Sequence, residues 1–279
     1  MAMVGGSMTP RWRSPITGSE VFEGDARVVA QTLPAGLVSC SILDGPYNCG
    51  KAEWDRVPRG GSLGDLYTGH LDDVGRLSAP SASLYLWNTS AGWAELHPLI
   101  LARGWVFRSL IVWEKAAAPA LIGWRRVTGW IESTEVCGYY TRGAAPFEMP
   151  EPLGSVWQVA IPAMHRETLR TGEIVPNRIA NRNDQREALH PCQKPLLFAE
   201  RMIRASTRPG DTVWVPFGGT LREMVAAERM TRGKPGEARR VISCELNADG
   251  VDYIGPAVAQ AQGLATAAGA QVGLFGGAP

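Results

Sequence analysis

Two stretches of the chain carry residues that a plain scaffold does not need. In "DTVWVPFGGTLREMVAAERM" (211–230) a strand-like run passes through Phe217, Gly218, Gly219 and Thr220 into a helical pattern. Glycines at such a turn let a ligand approach the backbone and aim helix N–H groups at it, although an ordinary tight turn reads the same way. The following segment, "VISCELNADG", puts Glu245 at the end of the next strand. An acid there can accept hydrogen bonds from ribose hydroxyls, or simply face solvent. The second stretch, "LVSCSILDGPYNCG" (37–50), runs from apolar residues straight into Asp44, Gly45, Pro46 and Tyr47. Gly and Pro account for a turn. Tyr47 and the amide behind it are not needed for one. Two further charged residues stand at turns: Lys194, one of four lysines, in "LHPCQKPLLFAERMI", and Asp25 in "EVFEGDARVVAQTLPAGLVS".

The elements that must position these residues are legible from periodicity. Strands are expected at 37–43, 83–89, 105–115, 134–142, 212–217 and 241–246, and helices at 91–102, 194–206 and 220–230. The order strand, Gly-Gly, helix, strand over 212–246 is a βαβ unit, which requires a parallel sheet. Residues 51–80 are rich in Gly, Ser and Asp and read as a mobile loop; 116–188 break the pattern with Pro, Arg and aromatics and read as an inserted irregular region. Trp87, Trp105, Trp113 and Trp214 fall in expected strands and read as core, whereas Trp54 stands beside the Asp44 turn.

Composition bounds the function. A chain of 279 residues with 45% apolar and 20% charged residues suits one large soluble core. No apolar run reaches the roughly 20 residues of a membrane span and the N-terminus lacks a signal-peptide core, which points to the cytoplasm. Five scattered cysteines lack metal-ligand spacing, so no metal is expected, and Cys40 and Cys244 read as buried thiols. The net charge of +1 lacks the positive surplus common in nucleic-acid binders. Arg166, Arg170, Arg178, Arg182 and Arg186 could grip phosphates or guanine edges, but Glu167, Glu173, Asp184 and Glu187 among them equally suit a solvated surface.

Taken in order, "VFEGDARVV", "DGPYNCGKAEWD", "LIVWEK", "HPCQKPLLF" and "VPFGGT" resemble the motifs of the beta-class amino DNA methyltransferases, in which the catalytic turn comes first and the cofactor loop last. The family patterns are a Gly-Asp segment, Asp-Pro-Pro-Tyr, Trp-x-Lys, HPTQKPxxL and DPFxGSGT. The resemblance implies a doubly wound, mostly parallel α/β sheet of Rossmann-like type, with 116–188 as target-recognition region. It implies S-adenosyl-L-methionine as cofactor and double-stranded DNA as partner, with methylation of the adenine N6 amine after base flipping. Asp44 would be the catalytic carboxylate, Gly45 the second acceptor, Pro46 the stiffener and Tyr47 a stacking face. Asp25 and Glu245 would hold adenine and ribose, Phe217, Gly218, Gly219 and Thr220 would line the cofactor, and Lys194 would lie near it. An inactive DNA-binding relative, or methylation of the cytosine N4 amine, are the competing readings.

Three departures from the family pattern stand out. Gly45 replaces a proline, which keeps the carbonyl but loses rigidity, at a cost on the order of 1 kcal/mol. Val215 replaces the acid that opens the cofactor loop, which implies weaker cofactor binding. The loop itself reads as one residue short. Finally, the flexible tail 265–279 holds Gln271-Val272-Gly273-Leu274-Phe275, which either packs on the protein's own surface or grips a sliding clamp. A homodimer is the other protein assembly that the chain admits.

Overall fold

The computed structural model describes residues 9–50, 55–57, 61–115, 133–149, 152–158, 165–168, 174–177, 193–232, 234–246 and 252–262. Eleven strands and six α-helices follow in the order β1 (Trp12–Arg13), β2 (Glu20–Glu23), α1 (Ala26–Ala30), β3 (Val38–Leu43), α2 (Leu63–Leu77), β4 (Ser78–Asn88), α3 (Ser90–Leu101), β5 (Val106–Glu114) and β6 (Thr134–Arg142). Then come β7 (Val156–Gln158), β8 (His165–Thr168), β9 (Ile174–Asn177), α4 (Leu196–Ser206), β10 (Thr212–Val215), α5 (Arg222–Thr231), β11 (Arg240–Glu245) and α6 (Ile254–Gln262). Nine strands form one sheet in the order β1-β2-β11-β10-β3-β4-β6-β5-β7. The run β2-β11-β10-β3-β4 is parallel throughout, and β6 lies antiparallel to both its neighbours. The doubly wound, mostly parallel α/β expectation is therefore met.

Strand alternation builds two cores, one on each face of this sheet. Cys40 and Ile42 of β3, Tyr85 and Trp87 of β4 and Val213 and Val215 of β10 face one way, against Phe198 and Met202 of α4, Met224 and Val225 of α5 and Ile254 of α6. Leu43, Leu84, Leu86 and Trp214 face the other way, against Val29 of α1, Tyr67, Leu71 and Val74 of α2 and Leu96 of α3. Trp87 lies parallel to Phe198 with ring centroids 5.4 Å apart. Trp87, Trp105, Trp113 and Trp214 are all buried, as expected for core packing.

Two expectations change. The stretch 51–80 is not one loop: from Leu63 it is a helix, and β4 begins directly after it at Ser78. Leu63, Tyr67, Leu71, Val74 and Leu77 recur at helical spacing and are buried. Ser62 starts the helix with a capping box, its hydroxyl accepting from the Asp65 N–H while the Asp65 carboxylate accepts from the Ser62 N–H. The supposed insertion over 116–188 also contains β6, which pairs along its whole length with β4 and β5 inside the main sheet. Trp54, residues 116–132, Arg170, Arg178, Arg182, Arg186 and the 265–279 tail lie outside the described residues. Ser62→Ala is expected to cost about 1 kcal/mol in urea unfolding, the usual loss for an N-cap; an unchanged midpoint would return this stretch to a loop.

Candidate active site

Strands β3 and β10 are parallel neighbours whose chain continuations part in opposite directions, β3 toward β4 and β10 toward β11. At such a switch point the loops leaving the two strands separate and open a crevice at their C-terminal ends. One wall is therefore Asp44-Gly45-Pro46-Tyr47 and the other Pro216 to Thr220. The two walls touch. A Cβ on Gly45 would lie 2.7 Å from the Tyr67 hydroxyl and 2.8 Å from Phe217 Cε2. A proline at 45, as in the family pattern, therefore requires Tyr67 and Phe217 to shift. Phe217 is held in turn against Tyr67 and His70 of α2, at centroid distances of 5.6 and 4.6 Å.

The rigidity that a proline would supply comes from elsewhere. The buried Asp55 carboxylate accepts the backbone N–H groups of Tyr47 (2.7 Å), Asn48 (3.1 Å) and Cys49 (3.0 Å). Asn48 adopts a left-handed φ of 58°, which Asn tolerates better than most residues. The Tyr67 hydroxyl donates to the Pro46 carbonyl at 3.3 Å. Asp55 closes the quoted "DGPYNCGKAEWD" stretch, so its identity was in view; its role as a clamp needed the fold.

Behind the turn lies a buried ionic cluster. The Lys194 ammonium donates to Asp44 Oδ1 (2.8 Å), to the Tyr47 hydroxyl (2.9 Å) and to Glu135 Oε2 (2.9 Å). Tyr47 donates to the same Asp44 Oδ1 at 2.7 Å, and Lys115 pairs with Glu135 Oε1. Burial disfavours the Glu135 charge, but the ammonium groups of Lys194 and Lys115 outweigh it and hold the carboxyl at about 2. Burial likewise opposes the Lys194 charge, and Asp44 and Glu135 outweigh it, raising its pKa. The Tyr47 hydroxyl is pushed well above its usual value by burial first and then by both carboxylates, so it stays a donor.

Lys194 is bonded to both Asp44 and Tyr47. Tyr47 is only 8% exposed, with the Lys194 ammonium 5.1 Å from its ring centroid and its hydroxyl on Asp44. Glu135 and Lys115 were not among the expected site residues. The signal for Glu135 was an acid inside the otherwise apolar and aromatic "TEVCGYYTR"; Lys115 ends the quoted "LIVWEK".

Across the crevice the glycine turn is shaped for backbone approach. A Cβ on Gly218 would meet Leu221 Cδ2 and Ser243 Oγ at 2.7 Å and the Cys244 carbonyl at 2.9 Å. The Gly218 N–H donates to that carbonyl at 2.6 Å, and the Gly219 N–H donates to the Glu245 carboxylate. The Glu245 carbonyl accepts from the Gly24 N–H at 2.8 Å, which brings Asp25 alongside. Asp25 caps α1 through Arg27 N (2.9 Å) and pairs with the Arg27 guanidinium, which holds its carboxyl below the usual range. Leu221 has φ 56°, a conformation natural to glycine. Set without a gap against DPFxGSGT, residues 215–222 agree at Pro216, Phe217 and Gly219 and put Leu221 at its last glycine. The buried Ser243 Oγ has no hydrogen-bond partner among the described residues. Glu245 and Asp25 thus stand at neighbouring strand ends beside the glycine turn, the place where the resemblance puts the adenosyl group.

Two measurements test this geometry. Gly45→Pro is expected to lower stability by about 1–3 kcal/mol in urea unfolding, the cost of overpacking, whereas a gain would mean the turn lacks rigidity. For Glu135 the folded carboxyl titrates at about 2 against an ordinary 4.5. A depressed carboxyl contributes stability that is complete above the ordinary value and is lost as pH falls through the folded one. Wild-type stability should therefore fall between about pH 5 and pH 2, and Glu135→Gln should flatten that slope.

A family model described as DNA methylase, for N6 and N4 amino groups, matches residues 38–255. The type II methyltransferase M1.MboII of Moraxella bovis is 24% identical over 245 residues, covering 77% of this chain and 86% of that protein. Among solved structures, the cytosine-N4-specific PvuII DNA methyltransferase superposes with a TM-score of 0.65 at 15% identity, covering 92% of this chain and 89% of that one. The S-adenosylmethionine complex of M1.HpyAVI gives 0.56 at 16% identity, over 88% of this chain and 98% of that one. Matched along most of its length by the family model, with the crevice walls inside the matched region, the chain belongs to the N6/N4 DNA methylase family.

Proposed function

We propose that this DNA methyltransferase acts on the N6 amine of adenine, with Asp44, Gly45 and Lys194 as its reactive cluster. The observation that carries the proposal is the orientation of Asp44. Among the described residues, its two hydrogen bonds, from Tyr47 and Lys194, both fall on Oδ1, which leaves Oδ2 facing a substrate. S-adenosyl-L-methionine, the family's methyl donor, supplies an electrophilic methyl group on its sulfonium sulfur. Gly218, Gly219, Ser243, Glu245 and Asp25 hold its adenosyl portion, while Phe217 and Thr220 close the turn around them.

An exocyclic base amine is a poor nucleophile because its lone pair is delocalised into the ring. Asp44 Oδ2 and the Gly45 carbonyl accept its two hydrogens and favour the pyramidal geometry in which the lone pair is localised. Positive charge then develops on nitrogen, and a carboxylate fixed beforehand by Tyr47 and Lys194 lowers the barrier. Asp44 Oδ2 is the acceptor nearest to the proton that the nitrogen must lose. A paired base cannot reach this crevice, so the nucleotide flips out of the duplex. Asp, rather than Ser, at the head of the turn supports adenine over cytosine.

The test is transfer of labelled methyl groups to unmethylated duplex DNA followed by nucleoside analysis. Wild type is expected to yield N6-methyladenine, and Asp44→Ala to lose about 10²–10³-fold in kcat, as when a preorganised polar group is removed. Methylated cytosine amine would overturn the base assignment. Absence of transfer to any DNA would leave a non-catalytic binder on this fold.

A further inference from the structure

The crevice contains a carboxylate that the mechanism above does not use. Glu223 is the second residue of α5, directly after the turn Gly218-Gly219-Thr220-Leu221. It is 8% exposed, its carboxylate accepts its own backbone N–H, and it makes no ion pair among the described residues. A buried carboxylate without an ion pair is costly unless a cation meets it. The cations nearby are committed: Lys194 to Asp44, Tyr47 and Glu135, and Arg222 to the Thr220 carbonyl. Val215, where the family carries an acid, is fully buried in apolar surroundings.

We propose that Glu223 receives the α-ammonium group of bound S-adenosyl-L-methionine, one turn along the chain from the position where Val215 withholds an acid. The inference rests on the functional reading above. Three features support it. The α5 N-terminus and the glycine turn form one wall of the crevice, so Glu223 and the adenosyl cradle share a side. The Glu223 carboxyl also feels the charges of both Asp44 and Lys194. The ligand carries two cationic groups, and the sulfonium must point at Asp44 and the amine; the ammonium is the one that needs a separate anion with hydrogen-bond acceptors.

The state of Glu223 makes the inference measurable. Burial raises its carboxyl to about 7, with Asp44 pushing the same way and its own backbone N–H, Arg222 and Lys194 opposing; the Cys40 thiol is the other titratable group within its influence. A carboxyl that is partly protonated near neutral pH must release its proton when an ammonium binds. Affinity should then rise with pH through about 7, and binding should release a fraction of a proton.

Isothermal titration at pH 7 in buffers of different ionisation enthalpy reads both quantities. Three ligands separate the groups: S-adenosylmethionine; S-adenosylhomocysteine, which keeps the ammonium but lacks the sulfonium charge; and 5′-methylthioadenosine, which lacks the amino-acid portion. Glu223→Gln is expected to weaken the first two by about 10- to 100-fold, the scale of a hydrogen bond to a charged group. It should leave 5′-methylthioadenosine unchanged and abolish proton release. The variant removes a buried charge, and an unchanged or higher thermal midpoint would verify its fold. Equal affinity and equal proton release in wild type and variant would overturn the assignment, as would loss of S-adenosylmethionine binding alone. Wild type that binds none of the three ligands would instead overturn the functional reading itself.

Discussion

One ammonium group, that of Lys194 ahead of α4, is shared by acceptors from two other parts of the chain: Asp44 and Tyr47 after β3, and Glu135 on β6. Buried ions of this kind are tolerable only as a satisfied set, because removal of one partner strands the others away from water. The set closes only if β3, β4 and β6 are in register and α4 is docked on the sheet. Folding and assembly of the catalytic turn are therefore one event. The aromatic wall around the same ammonium, Tyr47, Trp87 and Trp113, excludes water and strengthens each of its contacts.

Much of this was legible in the sequence, and the reasons for the remainder are physical. The parallel sheet followed from the βαβ pattern, and the strands at 134–142 and 212–217 from apolar and aromatic runs. Helix α2 escaped because Gly64, Gly69 and Gly75 dilute its composition, although Leu63, Tyr67, Leu71 and Val74 keep helical spacing. The Asp44–Tyr47 turn and the Phe217–Thr220 turn were visible as motifs because local chain geometry demands their glycines and prolines. The ionic cluster was not, since Glu135 and Lys194 are joined only by the antiparallel placement of β6 beside β4. Sequence spacing carries no information about that neighbour relation.

Departures from the family pattern look different once the packing is known. Gly45 is paired with a large Phe217 and with Tyr67, and rigidity is returned to the turn by three N–H groups on Asp55. Leu221 takes a glycine's conformation, which costs roughly 1–2 kcal/mol, yet its buried side chain contributes to the core beneath Gly218. Each irregularity has a counterpart within a few residues in space.

The contact between Gly45 and Phe217 has an evolutionary consequence. A side chain at 45 requires a smaller ring at 217 or a displaced Tyr67, and a smaller ring at 217 opens a void beside Tyr67 and His70 unless residue 45 fills it. Each single step passes through a clash or a cavity. Positions 45, 67 and 217 therefore share one volume, and a side chain gained at one of them is accommodated by a change at another.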